Sequence, residues 1–93
     1  MVCQSTKFSD HAIMKMFQRG IGVDDVETII KAGEVNRSYP DDKPYPSVLL
    51  LDFKNQQPIH VMLAQDETGN CVVITTYIPD LTIWEMGFRN KIK

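Results

Sequence analysis

Apolar residues recur at helical spacing soon after the N-terminus. Ala12, Ile13, Met16 and Phe17 gather on one side of a wheel drawn at about 100° per residue, with His11, Lys15, Gln18 and Arg19 opposite. Ser9 is a good N-cap, Asp10 suits the positive end of a helix dipole, and Gly20 sits where helices stop in the left-handed conformation. The pattern predicts a first helix over Asp10 to Arg19. A second follows at once, with Gly22 as cap, Asp24 and Asp25 in its first turn and Gly33 closing it. Its stripe is Val23, Val26, Ile29 and Ile30, and the pair reads as an αα-hairpin.

The period then changes to that of strands. Glu34 to Tyr39 is partly polar, and Ser47 to Phe53 holds the run Val48-Leu49-Leu50-Leu51. Ile59 to Gln65 alternates Ile59, Val61 and Leu63 against His60, Met62 and Ala64, and Cys71 to Ile78 is rich in β-branched residues. Lys54-Asn55-Gln56-Gln57 and Asp66-Glu67-Thr68-Gly69-Asn70 are polar connections of hairpin length. Lys7-Phe8 is left open as a short edge strand. After Pro79-Asp80, the spacing of Leu81, Trp84, Glu85, Phe88 and Arg89 predicts a short C-terminal helix. The expected fold is α+β: two N-terminal helices packed on one face of a four-stranded antiparallel meander, with the C-terminal helix after it.

Ninety-three residues suit one domain, 1–93, with one core and little room for an enclosed cavity. Apolar residues make up 43% and charged residues 24%, so the chain is not of disordered composition. Ten Lys and Arg against twelve Asp and Glu give a net charge of −2, and a nucleic-acid ligand would therefore need a local basic patch. Cys3 and Cys71 lie far apart without CxxC spacing and read as reduced thiols of a cytoplasmic protein. Neither a signal core nor a membrane-length apolar run is found, so no membrane partner is expected.

Three features are candidates for chemistry. The loop Tyr39-Pro40-Asp41-Asp42-Lys43-Pro44-Tyr45-Pro46-Ser47 is stiffened by three prolines and reads either as a recognition loop or as a rigid connector. His11, Lys15 and Arg19, at four-residue spacing, make either a cationic strip for phosphate or carboxylate or a solvated face. His60 lies on the strand face opposite Ile59 and Val61, where it lines a shallow site or serves as a hydrogen-bonded structural histidine. A metal held by His11, His60 and Asp41 or Asp42 has no ligand spacing behind it, and neither metal nor cofactor is expected.

Several segments together resemble a bacterial family known as domain of unknown function 4258. Ser9-Asp10-His11-Ala12, Lys15-Met16 and Arg19-Gly20-Ile21 are similar to its opening HA, RM and RGI elements. Gly33-Glu34-Val35, the Tyr39–Ser47 loop, Pro58-Ile59-His60-Val61, and Tyr77 and Pro79-Asp80 followed by Trp84 continue the likeness. Lys15 stands where the family pattern has Arg, which keeps the charge and loses bidentate phosphate geometry. The layout is in turn similar to RelE/ParE-like toxins, which implies a metal-independent ribonuclease or toxin module acting on RNA or the ribosome. On that reading His60 and His11 are the acid–base pair, and Lys15, Arg19, Tyr39, Lys43, Tyr77 and Arg89 bind substrate. The alternative is a non-catalytic protein-binding module, a ParE-like inhibitor or one half of a toxin–antitoxin pair, with homodimerisation a further expectation.

Overall fold

The computed structural model describes residues 1–80; the expected C-terminal helix and Arg89 lie outside the described residues. In chain order the elements are β1 (Ser5–Phe8), α1 (Asp10–Arg19), α2 (Val23–Ala32), β2 (Glu34–Tyr39), β3 (Ser47–Lys54), β4 (Gln57–Gln65) and β5 (Asn70–Tyr77). The expected four-stranded antiparallel meander is present as β2 to β5. The sheet nevertheless has five strands, in the order β1-β5-β4-β3-β2, and is mixed, because β1 runs parallel to β5. β1 spans only four residues, too few for alternation to declare itself in sequence. Thr6 and Phe8 turn inward while Ser5 and Lys7 face solvent.

Local chemistry explains the helix ends. The Ser9 hydroxyl accepts the Ala12 N–H at 3.0 Å, and Gly20 closes α1 at φ 66°, a conformation that side chains with a Cβ disfavour. Gly33 closes α2 for another reason. Its φ is an ordinary −67°, but a Cβ there would stand 2.5 Å from the Ile29 carbonyl oxygen. At the start of α2, Asp25 accepts both the Gly22 N–H and the Lys54 ammonium, tying the helix to the end of β3. The Lys54 ammonium and then the Gly22 N–H hold the Asp25 carboxyl below its ordinary pKa.

Both helices cover the same side of the sheet. Ala12 and Met16 of α1 and Val26, Ile29 and Ile30 of α2 pack on Leu50, Ile59, Val61, Leu63, Cys71 and Val73. The roll of α1 differs from expectation. Of its four periodic apolar residues only Ala12 and Met16 are buried, whereas Ile13 is 53% and Phe17 89% exposed. The cause lies at Ser9. Its N–H donates to the Val73 carbonyl and its hydroxyl to the Ile74 carbonyl, so the cap is pinned to β5 before the first turn begins. That pin, with Phe8 paired to Val73, turns positions 12 and 16 toward β5.

The expectation of two reduced thiols is also corrected. Cys3 and Cys71 form a disulfide with a Cα–Cα separation of 5.7 Å, which a 68-residue sequence gap concealed. Closing a loop of that length removes about 4 kcal/mol of unfolded-chain entropy. The argument for a cytoplasmic setting that rested on free thiols lapses with them. No helix among the described residues is long and apolar enough to cross a membrane.

The β3–β4 hairpin turns on Asn55 and Gln56, both in the left-handed region at φ 49° and 68°. Asn tolerates that region better than Gln, which occupies it at a cost, so Gln56→Gly is expected to stabilise the fold by roughly 0.5–1 kcal/mol. Urea denaturation checks this; an unchanged or lower midpoint would contradict it.

Candidate functional site

Strand alternation sends His60 to the sheet face away from both helices, between the core residues Ile59 and Val61. The register then builds a row across that face, with Glu34 opposite Leu51, Leu51 opposite His60, and His60 opposite Tyr77. The next row sets Arg37 opposite Leu49, Leu49 opposite Met62 and Met62 opposite Thr75. Tyr39, opposite Ser47, begins a third. Imidazole, guanidinium and two phenols therefore share one face.

His60 itself is wholly buried. Its Nδ1 lies 3.1 Å from the Tyr77 hydroxyl, and the two rings meet edge to face with centroids 5.2 Å apart. Its carbonyl accepts the Thr76 hydroxyl at 2.8 Å. Burial, and then the neighbouring Tyr39 phenol, raise the Tyr77 pKa above its ordinary value of 10.0, so Tyr77 keeps its proton and can donate to Nδ1. Of the two expectations for His60, its burial and its contact with Tyr77 favour the hydrogen-bonded structural histidine over a residue lining a shallow site. Arg37 adds a residue that the sequence did not single out. Its Nε, like Nδ2 of Asn36, is shielded from solvent without a hydrogen-bond partner among the described residues. A β-bulge between Val35 and Arg37 sets this placement, and no motif announces it.

Of the residues expected to line one site, His60 and Tyr77 are in contact, and Tyr39 shares their face near enough to act on Tyr77. Lys43 lies in the exposed loop that joins Tyr39 to Ser47, whose hydroxyl donates to the Asp42 carboxylate. His11, Lys15 and Arg19 belong to α1, across the sheet from His60. His11 and His60 therefore do not meet as an acid–base pair. Among the described residues there is no group of three His, Cys, Asp or Glu side chains able to hold a metal.

A second surface forms on α1 instead. Going round the helix, the buried Ala12–Met16 stripe is followed by Ile13, Phe17, Asp10 and Met14, all exposed and the three apolar ones more than half so. Gln18, His11, Lys15 and Arg19 then complete the circle, with Lys15 half-buried and the others exposed. An exposed arc, apolar apart from Asp10 in the first turn, thus lies beside a cationic one on a single helix. Ile13 and Phe17 were legible as apolar residues, but only the Ser9 pin shows that they face solvent.

Residues 8–78 match the family described as Domain of unknown function (DUF4258). The chain belongs to that family. No curated protein and no solved structure matches it, so the wider likeness to RelE/ParE-like toxins has no support from these comparisons. The DUF4258 match covers every described helix and β2 to β5 in full.

The Tyr77 environment gives a pH dependence of definite sign. The unfolded chain releases the phenol proton near pH 10, while the folded chain still holds it. The unfolded state then binds fewer protons, so stability is complete below about pH 10 and falls as pH rises beyond it. Tyr77→Phe is expected to remove this part of the slope. Denaturation of both proteins from neutral to strongly alkaline pH measures it, and identical slopes would contradict the assignment.

Proposed function

We propose that this DUF4258 domain is a non-catalytic protein-binding module whose docking face is the outer side of α1. The observation that carries the reading is the exposed arc Ile13, Phe17 and Met14 on a helix whose cap is pinned to the sheet. A large apolar side chain held in solvent on a rigid element is a usual mark of an interaction surface. The adjoining His11, Lys15 and Arg19 specify the partner's chemistry: an amphipathic helix that sets apolar side chains on the arc and carboxylates against the cations. A toxin–antitoxin partner or the target of a ParE-like inhibitor would each satisfy this description. The chain's net charge of −2 leaves α1 locally basic without making the whole surface so.

The test uses a synthetic amphipathic helix with a Leu face and a Glu rim, and its Lys-rimmed counterpart, followed by amide chemical shifts of the domain. The acidic peptide is expected to shift α1 resonances, and Phe17→Asp to weaken binding at least tenfold, about 1.4 kcal/mol or more. Shifts centred on the opposite sheet face, or equal binding of both peptides, would contradict the reading. Light scattering adds a further arm. A dimer that becomes monomeric on Phe17→Asp would assign the arc to self-association instead.

Metal-independent RNA cleavage is the second reading, favoured by the placement of His60, Tyr77, Tyr39 and Arg37 on one face. There the imidazole and the Tyr77 phenol would move protons while the guanidinium met the phosphate. It ranks second because the imidazole is wholly buried and His11 lies across the sheet. Purified protein incubated with RNA, with and without ribosomes, decides the matter. Cleavage lost in His60→Ala and Tyr77→Phe would establish it; intact RNA throughout would remove it.

A further inference from the structure

The first four residues form an arm held mainly by its disulfide. Besides that bond, the Met1 ammonium donates to the Ile30 carbonyl at 2.9 Å, Gln65 Nε2 to the Val2 carbonyl at 2.7 Å, and the Gln4 N–H to the Gly69 carbonyl at 2.8 Å. Val2 is 82% exposed, so the arm adds little apolar burial of its own. Between it and α2 lies a half-open cavity of about 260 Å³ lined by Met1, Val2, Cys3, Thr6, Glu27, Ile30 and Lys31. The two sulfurs are placed unequally. Cys71 is 1% exposed within the core on β5, flanked by its partners Thr6 and Gln65, whereas Cys3 is partly exposed at the core's margin.

We propose that Cys3–Cys71 is a thiol–disulfide exchange site whose co-reactant is a dithiol reductant, and that its reduction frees the arm and widens the cavity below. The more exposed sulfur, that of Cys3, is where an external thiolate can arrive. Attack forms a mixed disulfide on Cys3 and releases Cys71 as a thiolate, which takes up a proton. The reductant's second thiol then displaces Cys3, leaving two protein thiols and one oxidised reductant, a balanced two-electron exchange. Once the bond is open, three hydrogen bonds oppose the conformational freedom of four residues, and the arm loosens. Cys71 stays in place, because its strand remains paired on both sides and its side chain remains in the core. The consequence is local. The sheet and both helices persist while Ile30 and the cavity wall meet solvent.

The experiment treats the full oxidised chain under native conditions with glutathione or dithiothreitol, traps thiols with iodoacetamide and maps them by mass spectrometry. Hydrogen exchange is followed in parallel. Glutathione is expected on Cys3 with Cys71 as the free thiol, and dithiothreitol is expected to give two trapped thiols per chain. The Gln4 amide should then exchange roughly tenfold faster or more. β3 and β4 should stay folded and far slower to exchange than the arm, even though the lost cross-link lowers global stability. Cys3→Ser should reproduce the loosened arm without reductant. An adduct on Cys71, reduction only in denaturant, or loss of β3 and β4 protection on reduction or in Cys3→Ser would overturn the proposal. The last result would make the bond a staple of the whole fold.

Discussion

The attachment of Ser9 to β5 governs much of what this domain can present. One residue donates its N–H to the Val73 carbonyl, donates its hydroxyl to the Ile74 carbonyl and accepts the Ala12 N–H. Capping and docking are thereby joined, and a helix that might have rolled to bury four apolar residues buries two. Ala12 is small enough for close approach to the strand, and Met16, one turn later, adapts to the space beyond it. The remaining apolar residues of α1 are left to solvent. The same attachment sends the cationic side of α1 away from the sheet face that holds His60.

The sheet therefore separates two kinds of chemistry. On the helix-covered side the buried side chains are mainly apolar, and their burial supplies the main stabilisation. On the other side His60, Tyr77, Tyr39 and Arg37 make a polar grouping among Leu49 and Leu51, which are buried as well. A histidine bonded to a tyrosine that retains its proton is well suited to holding strand register and buries its polar atoms at low cost. Function then shifts toward what is exposed, namely the outer arc of α1.

Much of the architecture was legible in the sequence, and the misses have physical causes. Both helices, their caps and the β2–β5 meander follow from period, Ser9, Gly20 and the polar hairpin connections. The parallel strand β1 did not, since its pairing with β5 joins residues 65 apart in the chain and leaves no local pattern. The disulfide was hidden by a similar distance. On α1, periodicity ranked Ala12, Ile13, Met16 and Phe17 alike, because a helical wheel cannot say which half of a broad apolar arc meets the sheet. His60, Tyr39 and Tyr77 were picked out one by one, but their grouping needed the register, and Arg37 needed the bulge.

Solvent paramagnetic relaxation of side-chain resonances on the folded domain tests the central claim most directly, because it reads the roll of α1 without any partner. The account predicts strong attenuation of the Phe17 ring and the Ile13 methyls beside a protected Met16 methyl. A Phe17 ring as protected as Met16 would contradict it.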